Sequence, residues 1–365
     1  MTIVYSGEGV KDTSGNLLVG VQNGAVSGAV VTGGRRNLII NGAMQVAQRG
    51  TSFSMTNSLI WPVDRFQSYL DGIVGSAAAT ISQSSTAPAG FNNSIKVDIT
   101  GAETSPGANF RSHITYRVEG FDIRPLSWGT SDAVDATLSF WVRSHKTGIF
   151  CTGVYSPAGN VYMTEYTINS ADTWERKTVT IPGDTAGTWA TDNSIGLYVS
   201  FPLAGGTGRA NGVADTWYNT GYYGTPNQSN LFDSTDNDLY LTGVQLEVGS
   251  VATPFEHRSY GEELALCQRY FEKSFNDGVA PASNLGDFRS THGTEGVVYF
   301  MVPKRTSPTM VSYGALGTGS NWHYYTGVWN SANPNLSGSE KKFSYYLGTN
   351  ALNSVSGHWT ADAEL

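Results

Sequence analysis

Apolar residues in this chain come in short runs, and many of those runs alternate with polar positions. Residues Thr137-Leu138-Ser139-Phe140-Trp141-Val142 are the plainest case. A strand sends successive side chains to opposite faces, so alternation gives one apolar and one polar face. Comparable runs occupy residues 94–99, 113–118, 136–143, 149–155, 165–168, 175–181, 195–201 and 239–247, with Gly, Pro, Asn, Asp and Ser between them. Many short strands punctuated by turn residues predict a β-sandwich or barrel. Residues 37–42 predict an opening strand ending in an Asn41-Gly42 turn. Residues 60–66 lead into another, with Pro62 at its edge or entry. Strand patterns return at 296–302, 321–325, 342–347 and 358–363.

A different period appears between these groups. After the 239–247 run come a tight Gly249-Ser250 turn, a break at Pro254 and a marked helix start at Ser259. Ser259 and Glu262 have capping-box spacing, and Glu262 and Glu263 suit the positive end of a helix dipole. Leu264, Cys267 and Phe271 then share one face. Residues 202–238 predict a long loop, the kind that is functional or mobile in compact domains. Residues 1–36 alternate Gly with short apolar pairs and cannot bury a core alone; they predict an arm that is disordered or orders on a partner. The expected class is all-β: an N-terminal arm (1–36), a sandwich (37–256), a short connecting helix (257–275) and a small C-terminal β domain (276–365).

Composition narrows the functional classes. Charged residues make up 14% and Gly numbers 43 of 365 residues, which suits a turn-rich β protein. The formal net charge of −8 argues against broad nucleic-acid binding, which needs a basic face. Cys151 and Cys267 lack metal or disulfide spacing and read as buried free thiols, consistent with folding in a reducing cytoplasm. No stretch is long and apolar enough to insert in a membrane, and the N-terminus lacks signal-peptide form.

Searches for chemistry point away from catalysis. The six His are scattered, and no GxSxG, Walker or HExxH motif occurs. Asp64, Glu103, Glu119, Asp122, Glu165 and Glu247 are the carboxylates that a glycan-cleaving pair would draw on, and all read better as surface groups. Asp64, among apolar neighbours, reads as a brace to a backbone amide or to an arginine such as Arg65. The acidic run 233–238 reads as a solvated turn in preference to a calcium loop. Aromatics carry the stronger signal, because Tyr and Trp faces stack on sugars at low entropy cost. Glycan-binding candidates are Trp189, Trp217, Tyr218, Tyr222 and Tyr223 in or near Gly-rich loops, and Trp322, Tyr324, Tyr325 and Trp329 in the C-terminal part.

Three segments resemble bacteriophage tail-fibre-like virion proteins. They are Asn37-Leu38-Ile39-Ile40-Asn41-Gly42 through Gln48-Arg49-Gly50-Thr51 and on to Val63-Asp64-Arg65-Phe66; residues 239–273; and Val302-Pro303-Lys304-Arg305 with the close at Ala361-Asp362-Ala363-Glu364-Leu365. The resemblance implies a jelly-roll sandwich similar to carbohydrate-binding modules, a helix, and a distal β domain. It also implies a homotrimer anchored to another virion protein through residues 1–36, with Leu264, Cys267 and Phe271 as contacts between copies. Such a protein would be located on the virion and bind a host-surface carbohydrate without cleaving it. A head fibre or decoration protein of the same fold is the alternative, and a glycan depolymerase is a third. Related sandwiches often hold a structural calcium. Here Ala43-Met44-Gln45 and Leu241-Thr242-Gly243-Val244 lack the carboxylates at those positions, so no cofactor or metal is expected.

Overall fold

The computed structural model describes residues 35–73, 75–219, 221–279, 281, 295–314, 319–325, 328–348 and 354–365, and the backbone of short strands at 4–6, 9–11, 17–22, 25–27 and 288–290. The first four strands, β1 (Val4–Ser6), β2 (Gly9–Lys11), β3 (Leu17–Gln22) and β4 (Ala25–Ser27), pair in sequence order. The rest of the expected arm up to residue 34 lies outside the described residues. Arg35 and Arg36 are already fastened to the sandwich. Arg35 pairs with Asp122 at 2.7 Å, and the Arg36 guanidinium donates to the Pro254 carbonyl at 2.8 Å.

Two antiparallel sheets form the sandwich. One has seven strands in the order β16 (Thr216–Asn219), β13 (Asn160–Ile168), β12 (Gly148–Tyr155), β15 (Ile195–Gly205), β10 (Arg111–Glu119), β7 (Phe66–Asp71) and β6 (Ile60–Val63). The other has six: β14 (Glu175–Ile181), β11 (Ala136–Ser144), β17 (Asp238–Val248), β9 (Ser94–Gly101), β8 (Ala78–Ser84) and β5 (Ser52–Ser54). The chain crosses repeatedly from one sheet to the other, as a jelly roll requires. Alternation decides what faces inward. Leu138, Phe140 and Val142 of β11 meet Ile114, Tyr116 and Val118 of β10 and Leu197, Val199 and Phe201 of β15 in one core. Phe140 packs edge-on to Phe201 at 5.1 Å.

The opening segment corrects the sequence reading. Residues 37–40 form no strand, although they are buried. The Asn37 side chain takes over the work of a ladder: its amide donates to the Val244 carbonyl at 3.1 Å, and its Oδ1 accepts from the amides of Ile39 and Leu246. The turn is present, with Met44 N donating to Asn41 O at 2.9 Å and Asn41 at φ 60°. Gly42 is required there, since a Cβ would lie 2.1 Å from the Val244 carbonyl oxygen. The 60–66 run likewise divides: the chain reverses at Arg65 (φ 74°), and β6 pairs back on β7.

Helix α1 (Gly120–Ile123) is a single turn after β10; α2 (Tyr260–Gln268) is the predicted helix. Ser259 Oγ accepts from Glu262 N at 3.3 Å, one half of the box. Glu263, rather than Glu262, is the working carboxylate, accepting from Asn41 N at 2.5 Å and pairing with Arg258 at 3.3 Å. The apolar face of α2 is used within the chain. Cys267 is buried in the sandwich core, Leu264 packs against that core, and Phe271 is buried at the next strand. That corrects the expectation of intersubunit contacts at Cys267 and Phe271, which have too little free surface to meet a second copy.

From α2 the chain enters β18 (Phe271–Lys273) through only two residues, Arg269 and Tyr270. β18 pairs with β26 (Ser354–Asp362), which also pairs with β19 (Phe288–Ser290), β21 (Thr309–Gly314) and β22 (Trp322–Tyr325); β22 in turn pairs with β23 (Trp329–Ala332). A separate three-stranded sheet runs β20 (Glu295–Tyr299), β25 (Lys342–Tyr346), β24 (Asn335–Gly338). Trp322, Phe343, Tyr345 and Trp359 fill a second core between these sheets. Residues 362–364 then return to the sandwich, where Glu364 pairs with the buried Arg65 and lies 3.4 Å from Arg49.

Candidate functional site

The outer face of the seven-stranded sheet concentrates rings and cations. Strand alternation that turns Ile114, Tyr116 and Val118 inward turns Arg111, His113, Thr115 and Arg117 outward. The same parity presents Gln67 and Tyr69 from β7, Tyr198 and Ser200 from β15, and Tyr155 from β12. Register places these side by side: His113 opposite Tyr69, Arg117 opposite Tyr198, and Tyr198 opposite Tyr155. Tyr155 and Tyr198 stack at 4.3 Å with planes 10° apart; Tyr69 and His113 stack at 5.9 Å. Arg111 lies 4.8 Å from the Tyr69 ring and Arg117 lies 5.5 Å from Tyr198, distances at which a cation is drawn to a ring face.

The expected loop 202–238 is interrupted by β16, and the segments 206–215 and 221–230 on either side of that strand cover one half of this face. Thr225 Oγ1 donates to Glu165 Oε1 at 2.5 Å and lies 3.4 Å from the Cys151 sulfur, which closes a small apolar cluster of Cys151, Val161 and Met163. Tyr223, on the rim of this roof, meets Tyr155 at 5.2 Å and His113 at 6.2 Å. The other half is an aromatic platform, with Gln67, Thr115 and Ser200 buried beneath its rings. Among the described residues, Gln67 Oε1 and Ser200 Oγ have no hydrogen-bond partner there. They lie beneath the rings, so a ligand would meet the ring faces and the guanidinium groups first.

Electrostatics fix the state of these groups. Burial, with Arg111 alongside, pushes the His113 imidazole down to about 3, so it is a neutral ring at physiological pH. Burial pushes the Tyr155 hydroxyl well up, and it stays protonated. At the end of β10, burial alone would raise the Glu119 carboxyl. The Arg269 fork at 2.6 and 2.9 Å and the Tyr270 hydroxyl at 2.6 Å bring it below its ordinary value. Arg117 also borders a cleft of about 920 Å³ between the sandwich and the C-terminal sheet; Arg49, Trp61, Phe271, Lys273 and Tyr313 are among its walls. Arg49 stacks on Phe271 at 3.8 Å and on Trp61 at 5.0 Å.

The sequence candidates fare unequally. Tyr223 belongs to the platform. Tyr222 is its half-buried neighbour, whose carbonyl accepts from the Tyr218 hydroxyl at 3.3 Å, and Tyr218 lies under the roof. Trp189 and Trp217 do not face this surface. They pack with Trp128 at 4.8 to 5.7 Å in the sandwich core, and Trp189 Nε1 donates to Asp184. Trp322 is fully buried in the second core and donates to the His358 carbonyl, with Tyr324 packed on the same cluster. Burial removes Trp189 and Trp322 as ligand platforms. Tyr325 is half-buried at the end of β22, and the side chain of Trp329 lies outside the described residues. Asp64 is a brace of the expected kind: the Gln48 backbone amide donates to it at 2.9 Å, and the arginine beside it, at 4.0 Å, is Arg49. Glu119 and Glu247, expected at the surface, are buried, Glu247 accepting from the Thr253 hydroxyl at 2.6 Å. Sequence reasoning missed Tyr69, Tyr155, Tyr198, Arg111 and Arg117. The signal was available: they are the outward positions of predicted or adjacent strands.

No protein-family model and no curated protein matches this sequence. Solved structures do align with it. The enzymatically active domain of tailspike protein 4 of bacteriophage CBA120 covers 58% of this chain at 10% identity and a TM-score of 0.31, and this chain covers 21% of it. A putative sugar binding protein from Bacteroides thetaiotaomicron covers 58% of this chain and is itself covered over 100%, at 12% identity and a TM-score of 0.33. A family 11 carbohydrate-binding module from Clostridium thermocellum, in complex with a β-1,3-1,4-mixed-linked tetrasaccharide, covers 56% and is covered over 99%, at 11% identity and a TM-score of 0.29.

Proposed function

We propose that this chain is a structural protein of a bacteriophage particle, a trimeric tail fibre or spike that binds a host-surface glycan on the outer face of its long sheet and does not cleave it. The observation that carries this reading is the platform of Tyr69, Tyr155, Tyr198 and Tyr223. Rings held by neighbouring rings lose little entropy on stacking against a sugar. Binding without hydrolysis is favoured because the nearby carboxylates are engaged: Asp71 lies 3.5 Å from Arg111, Glu165 accepts from Thr225 and Asn227, and Glu119 is held by Arg269 and Tyr270. Two buried free thiols suit folding in the host cytoplasm before assembly. The arm, residues 1–36, would anchor the protein; contact with a tail protein in the intact particle supports a tail fibre, and contact with capsid makes it a head fibre.

The direct experiment titrates the full chain and Tyr198→Ala with host-surface polysaccharide. The variant is expected to bind roughly tenfold more weakly, about 1.4 kcal/mol, a size suited to one stacked ring. Unchanged affinity removes the platform from the function, and shortened polysaccharide after incubation makes the protein a depolymerase.

A further inference from the structure

The charge on the platform runs against that of the chain. Formal net charge is −8, yet the open side of the long sheet and the edge of its roof present Arg111, Arg117 and Arg209. The nearby acidic groups are spoken for: Asp71 by Arg111, Glu119 by Arg269, Glu165 by Thr225. Among the described residues, Arg117 and Arg209 form no ion pair and no side-chain hydrogen bond. Arg111 has Asp71 at 3.5 Å, which leaves Arg117 and Arg209 as the cations of this face without a carboxylate among the described residues. The half-exposed forks of Arg117 and Arg209 therefore remain available to a ligand, and a planar guanidinium fork matches a carboxylate better than it matches a hydroxyl.

Geometry adds a second constraint. Arg209 lines the same small depression as Arg111, His113 and Tyr223, at one end of the platform. Arg117 stands at the other end beside Tyr198. Arg111 and Arg117 are six residues apart on one strand, about 20 Å, a distance that spans several sugar units. Each end pairs a cation with a ring: Arg111 with Tyr69, Arg117 with Tyr198. A pyranose stacked on either tyrosine would bring an acidic substituent to the adjoining guanidinium.

We infer that the ligand of this platform is an acidic polysaccharide, with sugar carboxylates held at one end by Arg117 and at the other by Arg111 and Arg209. The inference rests on the glycan-binding reading above and specifies the class of glycan. To test it, the full chain and its Arg117→Gln, Arg209→Gln and Tyr198→Ala variants are titrated with polygalacturonate, dextran sulfate and a neutral mixed-linked β-glucan, with circular dichroism confirming each fold. Polygalacturonate is expected to bind at least about tenfold more tightly than the neutral polymer, with affinity falling as salt is added. Each arginine variant should lose several-fold toward polygalacturonate alone, and Tyr198→Ala should weaken every polymer that binds. Dextran sulfate that binds more tightly than polygalacturonate, with the same dependence on Arg117, overturns the choice of carboxylate and assigns sulfate esters. Equal affinity for neutral and acidic polymers, unchanged in both arginine variants, overturns the inference and leaves the glycan-binding reading standing. Affinity of every polymer unchanged by Tyr198→Ala overturns both.

Discussion

His113 shows how a single residue can be legible in type and illegible in role. Read alone it is one of six scattered histidines. Once β10 is placed, its ring lies between Tyr69 and Tyr223 with Arg111 on its own strand. Burial first and Arg111 second hold its pKa at about 3 in the folded chain, against roughly 6.5 unfolded. The unfolded chain therefore takes up this proton first. The stability linked to His113 is fully present above about pH 6.5 and is lost as pH falls toward 3. Urea denaturation at pH 7.5 and pH 5 should show a larger fall for the native protein than for His113→Leu; equal falls would remove the histidine from the acid response. The remaining platform residues follow the same logic. Tyr155 and Tyr198 sit in runs that are recognisable as strands, but stacking between them depends on the β12–β15 register, which no local pattern encodes. The tryptophans misled for the converse reason: Gly-rich surroundings suggested exposure for Trp189, while its indole is satisfied internally by Asp184.

Among elements, the longer sandwich strands were readable because alternation repeats along each one, whereas β5, β8 and β16 were not, and β16 lies in the segment 202–238 expected as a loop. The opening segment was misread because Asn37 satisfies backbone groups with its side chain, and a pattern of apolar residues cannot distinguish that from a ladder. Helix α2 was readable at its start from Ser259, but its end required tertiary contacts. There Lys304, from a distant segment, inserts its ammonium against the Gln268 and Val302 carbonyls and Glu272 Oε2. Burial pushes this ammonium down, and Glu272 at 2.6 Å opposes the shift. Removing the cation strands a buried carboxylate. Lys304→Met is expected to cost about 3–5 kcal/mol in equilibrium denaturation, and the double variant Lys304→Met/Glu272→Leu to recover most of it. A single variant as stable as the parent would show the pair to be dispensable.

At the scale of the whole molecule, the trimer proposed above needs a surface other than Cys267 and Phe271, which the chain covers itself. The C-terminal three-stranded sheet offers one. Val297 and Tyr299 of β20 and Tyr346 of β25 are exposed on one face, with Met301 just beyond. A rim of apolar side chains beside the β20 edge is suited to a second copy. Light scattering at micromolar concentration should give a trimer for the full chain and a smaller species for Tyr299→Ser/Met301→Ser; a native monomer would end the trimer proposal. How such copies would act depends on the passage from sandwich to C-terminal sheet. Only Arg269 and Tyr270 separate helix α2 from β18, β18 is bonded along β26, and Arg49 and Arg65 clamp Asp362 and Glu364. With that two-residue passage held by Glu119 through Arg269 and Tyr270, glycan platforms on joined copies would stand at fixed separations and angles. Bivalent attachment gains strength only when the second site can be reached without strain. A particle built this way would respond to the spacing of sugar chains on a surface as a ruler does, gripping where the intervals match and releasing where the same sugars are scattered.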